Sequence, residues 1–143
     1  MLLRRSRWGT KRIGHGLNVY NFPALMERLK DEHICLEVCP ISNQMLRYMK
    51  DLRIHPISEY INRGVQCVVA SDDPQIFDTV GLAWDLSGEV WHGAMLDLRD
   101  LKKLLLRNSF TYSAISPDER AQMLKNWNND WQNFVRAVIT QLN

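Results

Sequence analysis

The sequence lacks a long apolar run, a strong excess of charge and a regular pairing of cysteines. No hydrophobic stretch approaches the roughly 18 residues that a membrane-spanning helix needs. The formal net charge is only +2 and the basic residues form no long run, so neither a membrane nor a nucleic acid is expected as a partner. The three cysteines are an odd number, and Cys35 and Cys39 lack the spacing of a zinc pair, so buried free thiols are expected.

The first residues lack the apolar segment of a secretory signal, and residues 1–10 match no clean helical pattern. Hydrophobic residues make up 45% of the 143 and charged residues 24%, which is typical of a globular domain. We therefore divide the chain into an atypical start, residues 1–10, and a single α/β unit, residues 11–143.

Short apolar segments alternate with helical patterns in the first half of the chain. Strands are predicted at residues 11–16, 34–39 and 65–71, and helices at residues 22–30, 44–49 and 56–64. Strands without polar alternation are usually covered on both faces, and strands separated by helices are usually parallel. The order therefore predicts an α/β fold with a parallel sheet.

The second half of the chain is predicted to be helical. Leucines at positions 96, 98, 101, 104 and 105 indicate one amphipathic helix. Ser116, Pro117 and Glu119 have the pattern of a capped helix start. The apolar stripe of the helix that follows is interpreted as core packing. Its members are Leu124, Trp127, Trp131, Phe134, Val135, Val138 and Leu142.

Gly14-His15-Gly16, at the end of the first predicted strand, is one candidate for catalysis. Two glycines permit a tight turn and the close approach of a ligand, and a histidine there could serve as a base near neutral pH. The alternative is a turn whose imidazole bonds only to a nearby backbone group.

Ser71-Asp72-Asp73-Pro74, directly after the third predicted strand, is the other candidate. Adjacent carboxylates at a buried strand end are costly unless a charge such as a divalent metal or hydrogen bonds compensate. The alternative is a helix start, since Asp is a good N-cap residue and Pro a good first residue. Both candidates follow strands of a repeated βα pattern, at the rim where a (β/α)8 barrel builds its active site.

Other polar residues are weaker candidates. Glu37 interrupts an apolar strand and is interpreted as a buried, paired carboxylate without a catalytic role. His33, His55 and His92 lie in predicted loops or helix starts, where surface positions are expected.

Three ordered motifs resemble those of the adenosine deaminase family. They are residues 12–16 (Arg-Ile-Gly-His-Gly), 36–43 (Leu-Glu-Val-Cys-Pro-Ile-Ser-Asn) and 71–74 (Ser-Asp-Asp-Pro). The residues of the second motif are most similar to those of the growth-factor-related, secreted (type 2) branch. The same is true of Asp51-Leu52-Arg53 and His55-Pro56, which follow the motif. The match extends from about Lys11 to the C-terminus.

This resemblance implies a zinc-containing (β/α)8 barrel that hydrolyses adenosine or deoxyadenosine to inosine or deoxyinosine. His15 resembles the catalytic histidine that orients and helps activate water at the zinc, and Asp72 resembles the Zn²⁺-binding aspartate. Asp73 resembles the aspartate that hydrogen-bonds the purine. The branch further implies an extracellular location and a homodimer of the full-length protein.

The His-x-His and His-Ala-Gly-Glu segments of that family are missing from these 143 residues. A catalytic zinc needs about three protein ligands and a complete barrel about 200 residues or more. We therefore expect a partial barrel, about its last three βα units with extra C-terminal helices, that is inactive alone. The alternatives are a non-catalytic truncated relative with a binding role, and a related purine aminohydrolase acting on AMP or adenine.

Overall fold

A three-stranded parallel sheet forms the centre of the protein. The structure is a computed structural model that describes residues 9–77, 96–102 and 107–142. Strands β1 (Arg12–Gly14), β2 (Cys35–Val38) and β3 (Cys67–Val69) lie in the order β1-β2-β3. Ile13 pairs with Leu36, and Glu37 pairs with Val68. The three predicted strands and their parallel arrangement are confirmed.

Helices separate the strands, as the alternating pattern predicted. Helix α1 (Pro23–Asp31) follows β1 after a 3-10 turn at Val19–Asn21, and helix α3 (Ile57–Asn62) precedes β3 after a 3-10 turn at Leu52–Ile54. Gly64 closes α3 with a φ of 78°, a left-handed conformation that glycine adopts without steric cost.

The helix predicted at residues 44–49 lies earlier than expected. Helix α2 (Pro40–Met45) begins directly after β2, and Pro40, expected only to stop the strand, is its first residue. Proline is well tolerated there because the first backbone N–H of a helix has no intrahelical acceptor. Arg47, with a φ of 61°, ends the segment, and the Tyr48 amide donates to the Asn43 carbonyl at 3.0 Å.

Apolar residues of the sheet and of helices α1 and α3 form one core. Its buried members are Ile13, Val19, Met26, Leu29, Ile34, Leu36, Val38, Ile57, Tyr60, Val65, Cys67 and Val69. Leu36 and Val38 alternate along β2 and belong to this core, so this face of the sheet packs on the helices. Cys35, Cys39 and Cys67 are buried thiols that form no disulfide, as expected.

The C-terminal part is helical, with α4 (Leu98–Leu101), α5 (Asn108–Thr111) and α6 (Pro117–Leu142). The predicted capped start is confirmed, since the Glu119 carboxylate accepts from the Ser116 amide at 3.0 Å. Asn108 on α5 is buried and donates to the Cys67 carbonyl at 2.7 Å, which ties α5 to the start of β3. Of the predicted leucine helix, residues 104 and 105 lie outside the described residues.

The prediction that the whole α6 stripe is core packing is wrong for part of it. Trp127 is 8% exposed, whereas Phe134 is 49% exposed and Val138 is 37% exposed. The rings of Trp127, Trp131 and Phe134 pack against one another along the helix, with centroids 5.9 and 5.6 Å apart and ring planes tilted by 37° and 44°. Burial of this helix thus falls from its N-terminal half towards its C-terminal half. Over the described ranges, no helix is long and apolar enough to cross a membrane.

Replacing Gly16 by alanine should destabilise the fold by about 2–4 kcal/mol. A Cβ at Gly16 would lie 2.8 Å from Leu36 Cδ2, and Leu36 is completely buried. Overpacking costs about 1–3 kcal/mol and a left-handed alanine about 1–2 kcal/mol. Chemical denaturation of the purified protein measures the loss.

Gly9→Ala is the matched control for this substitution. Gly9 and Gly16 have the same φ of 69°, but among the described residues no atom lies within 4 Å of a Cβ at Gly9. The control should therefore show only the backbone cost. Equal losses in the two variants would contradict tight packing between the Gly16 turn and Leu36.

Candidate active site

His15 lies in a tight turn directly after β1. Its backbone amide donates to the Glu37 carbonyl at 2.8 Å, which extends the pairing of β1 with β2 by one residue. The hydroxyl of Tyr60 on α3, fully buried, lies 2.8 Å from the Gly16 carbonyl and 3.1 Å from the Leu17 carbonyl. Burial raises the pKa of this phenol, so it stays a neutral donor. Hydrogen bonds from the core residue Tyr60 thus hold the turn that contains His15.

Two strand ends hold non-glycine residues in the left-handed region. His15 has a φ of 57° and Asp72 a φ of 58°. His33 and Arg47 also have positive φ, but they follow helices α1 and α2, where a left-handed residue is an ordinary helix end. His15 and Asp72 have no such reason, and strained residues of this kind cluster at functional sites.

Asp72 and His15 lie in contact at the carboxyl end of the sheet. His15 Nε2 is 3.5 Å from Asp72 Oδ2, and the same oxygen accepts a 2.7 Å hydrogen bond from Ser42 Oγ at the start of α2. Ser42 is completely buried. The turns after β1 and β3 and the helix after β2 therefore meet around one carboxylate. The His15 imidazole contacts the side chains of Asp72 and Asn43, so the alternative in which it bonds only to nearby backbone is wrong.

Asp73 follows Asp72 in the same turn. Its side chain is exposed, and its backbone carbonyl accepts from the amides of Ile76 and Phe77 at 3.0 and 3.2 Å. These are the hydrogen bonds of a first helical turn, so residues 73–77 agree with the alternative of a helix start at the aspartates, and residues 78–95 lie outside the described residues. Of the three predicted site residues, the structure brings His15 and Asp72 together and leaves Asp73 facing solvent.

Asn43 and His55 belong to the site, although sequence reasoning gave neither a role. Asn43 Nδ2 lies 3.3 Å from His15 Nδ1, and Asn43 Oδ1 lies 3.3 Å from His55 Nε2. The expected surface position of His55 is wrong, because this residue is only 2% exposed. Burial lowers the pKa of His55 to about 4. His33 is exposed, as expected, and His92 lies outside the described residues.

Glu37 is paired, as predicted, with Arg12 on the neighbouring strand, but it is half-buried and not buried as expected. Arg12 Nε donates to Glu37 Oε1 at 2.6 Å, and about a third of each side chain is exposed. Glu37, His15 and Asp72 line an open cavity of about 360 Å³ at the carboxyl end of the sheet. A second cavity, of about 600 Å³, lies beside His15 and is lined also by Asn43 and Tyr48. His15 therefore separates two open spaces.

The metal-ligand chemistry of this edge is incomplete. Asp72 and His15 provide a carboxylate and an imidazole, but no group of three or more His, Cys, Asp or Glu side chains suited to a metal occurs in residues 9–77, 96–102 and 107–142. A catalytic zinc takes about three protein ligands. The described residues therefore do not fit a complete zinc site by themselves.

Comparison with solved structures defines the class of fold. An adenine deaminase from Arthrobacter aurescens superposes with a TM-score of 0.76 at 27% identity, over 85% of this chain and 36% of that one. A cog1816 amidohydrolase from Burkhoderia ambifaria, described with bound Zn, gives a TM-score of 0.76 at 21% identity, over 91% and 36% of the two chains. The protein is part of a (β/α)8-barrel deaminase fold, with the His15–Asp72 contact at the carboxyl ends of its strands.

The chain belongs to the adenosine deaminase family, whose sequence profile matches residues 6–129. It is 37% identical over 137 residues to the adenosine deaminase of Phlebotomus duboscqi, and 39% identical over 131 residues to adenosine deaminase 2 of Dictyostelium discoideum. These alignments cover 94% and 91% of this chain. The chain spans about a quarter of each relative, 26% and 24% of their lengths.

The buried His55 should make the folded protein less stable below neutral pH. Its folded-state pKa, about 4, lies below the ordinary value of 6.5, so the unfolded state binds the proton first as the pH falls. Stability is therefore retained above about pH 6.5 and lost between about pH 6.5 and 4, at about 1 kcal/mol per pH unit. Denaturant unfolding at several pH values measures this slope.

His55→Asn and His33→Asn form a matched pair for this measurement. Asparagine at position 55 can still accept from the backbone amide two residues on, as His55 Nδ1 does from Ile57 at 3.2 Å. We expect a flatter slope in His55→Asn and an unchanged slope in His33→Asn, whose histidine is exposed. An unchanged slope in His55→Asn would contradict a buried neutral imidazole.

Proposed function

We propose that this chain forms one side of the active site of a zinc-dependent adenosine deaminase, acting on adenosine or deoxyadenosine. The observation that carries the proposal is the 3.5 Å contact between His15 and Asp72 at the carboxyl edge of the sheet, in a chain of the adenosine deaminase family. Motif correspondence assigns Asp72 as a metal ligand, Asp73 as the purine-binding residue and His15 as the catalytic histidine.

The chemistry of each residue fits its proposed part. When bound, zinc lowers the pKa of water and makes hydroxide available near neutral pH. Asp72 is an oxygen ligand oriented by the Ser42 hydroxyl, and His15 is an imidazole held within reach of the same carboxylate. His15 can hold or move a proton beside the metal position. Asp73, exposed beside it, is free to meet a purine nitrogen.

Deamination by this chain alone should be negligible. The described residues offer too few metal ligands for a catalytic zinc, and the chain spans only about a quarter of its curated relatives. We propose that the remaining ligands and the residue that protonates the purine come from other parts of a complete barrel. A truncated relative with only a binding role is the alternative, and it would have no activity even within a complete barrel.

The finer identity rests on the wording of the motifs. We propose the growth-factor-related branch. Relatives named adenosine deaminase 2 support it, whereas other relatives are named only adenosine deaminase and do not distinguish the branches. An extracellular location and a homodimer of the full-length protein follow from that branch. A purine aminohydrolase acting on adenine or AMP is the second candidate, favoured by the structural likeness to an adenine deaminase at 27% identity.

A chimaera tests the proposal. The aligned quarter of the Phlebotomus duboscqi adenosine deaminase is replaced by this chain, and release of ammonia from adenosine, deoxyadenosine, adenine and AMP is measured with zinc present. We expect turnover of adenosine and deoxyadenosine by the chimaera and none by the isolated chain. Asp72→Asn should reduce bound zinc in metal analysis, and His15→Asn should lower kcat about 10²–10⁴-fold.

Asp73→Asn should instead raise KM by about tenfold or more, since a hydrogen bond to a charged group contributes about 1.5–3 kcal/mol. Asp118→Asn, which changes an exposed carboxylate in the first turn of α6, is the control and should leave kcat and KM unchanged. A folded, zinc-loaded chimaera without purine deaminase activity would refute the function. Enzyme-like turnover by the isolated chain would refute its dependence on other segments.

A further inference from the structure

A line of side chains connects the start of α3 to the His15–Asp72 contact. The Ile57 amide donates to His55 Nδ1 at 3.2 Å, and His55 Nε2 lies 3.3 Å from Asn43 Oδ1. Asn43 Nδ2 lies 3.3 Å from His15 Nδ1, and His15 Nε2 lies 3.5 Å from Asp72 Oδ2. His55 and Asn43 are both 2% exposed, so water does not substitute for these partners at low cost.

The backbone amide at Ile57 sets the direction of the whole line. A backbone N–H can only donate, so His55 Nδ1 must be the bare nitrogen and His55 Nε2 must bear the proton. A doubly protonated His55 would turn Nδ1 into a second donor facing that amide. Burial of the ring opposes the charged form as well, since it lowers the pKa of His55 to about 4.

The fixed proton on His55 then orients the Asn43 amide. His55 Nε2–H needs an acceptor, which is Asn43 Oδ1, so the amide NH₂ group must face His15. Because an NH₂ group only donates, His15 Nδ1 must be bare, and the proton of neutral His15 resides on Nε2. Nε2 is the nitrogen that faces Asp72 and the cavity of about 360 Å³.

We propose that His55 and Asn43 are positioning residues that fix His15 as the tautomer with its proton on Nε2, aimed at Asp72. What this proton does rests on the proposed deaminase function, whereas the tautomer itself does not. Neither positioning residue touches substrate; both act through His15. If His15 holds or moves a proton at Nε2, a fixed tautomer keeps that proton at the nitrogen that faces the site.

The test is the protonation pattern of the imidazole nitrogens of the whole chain, labelled with ¹⁵N-histidine, in long-range ¹H–¹⁵N correlation spectra at about pH 8, where an ordinary histidine is neutral. We expect protonated Nε2 and bare Nδ1 in both His15 and His55. Free histidine already favours the proton on Nε2, so the reference is an unstructured peptide of residues 11–20. The ratio of the Nε2-protonated to the Nδ1-protonated tautomer at His15 should exceed that of the peptide by about tenfold.

Asn43→Asp is the decisive variant, since it replaces the donor facing His15 by a second acceptor of the same shape. His55 should keep its proton on Nε2, while His15 Nδ1, which then faces an acceptor, should become protonated. Asn18→Asp is the matched control, because Asn18 lines the cavity beside His15 but lies outside the line of hydrogen bonds. It adds the same charge nearby and should leave the His15 tautomer unchanged.

Asn43→Leu covers the case in which the aspartate variant does not fold. Leucine offers neither donor nor acceptor, so the His15 preference should fall to that of the peptide. The proposal is overturned if His15 Nδ1 stays bare in folded Asn43→Asp, or if the wild-type preference for Nε2 over Nδ1 equals that of the peptide. If the chimaera deaminates purines but Asn43→Asp causes no tautomer change, only this proposal is refuted. If the tautomer changes but the chimaera has no deaminase activity, only the proposed function is refuted.

Discussion

Parallel pairing of three short strands in one register places the residues that follow each strand, His15 and Asp72 among them, at the same edge of the sheet. Gly14 pairs with Glu37 and Val38 pairs with Val69, so the residues that follow each strand begin at nearly the same height. An antiparallel arrangement would send one of these ends to the opposite side of the sheet. The His15–Asp72 contact therefore depends on backbone pairing before it depends on either side chain.

The packed core converts that pairing into a precise geometry. The buried Tyr60 hydroxyl binds the turn that follows β1, and completely buried Ser42 binds the carboxylate that follows β3. His15 and Asp72 adopt left-handed backbone conformations that cost free energy and persist only where the surroundings enforce them. Buried polar groups in this protein thus hold strained residues in place. Such a cost in folding free energy is typical of functional sites and not of ordinary turns.

The sequence allowed the strands, their parallel order and the pairing of Glu37 to be predicted, because apolar β-branched runs and alternating helices are local signals. It also placed His15 and Asp72 at strand ends, where parallel topology must bring them together. The start of α2 was missed because Pro40 ends a strand and begins a helix equally well. The role of His55 was missed because a histidine before a proline has no local mark of burial.

The exposed half of the α6 stripe shows a different limit of sequence patterns. A helical stripe of Trp, Phe and Val predicts burial, yet Phe134 is 49% exposed. Periodicity identifies which face of a helix is apolar, but only tertiary contacts determine what covers it. The same holds for the proposed metal site, since a motif that suggests Asp72 as a ligand does not identify the other side chains that would have to converge on the metal.

A high-resolution crystal structure tests the central claim, that side chains from separate strand ends meet at one edge. The account predicts His15 Nε2 within about 4 Å of Asp72 Oδ2, the distance that defines an ion pair, with positive φ at both residues. An imidazole directed to the other end of the sheet, or a carboxylate separated from it by intervening backbone, would contradict the account.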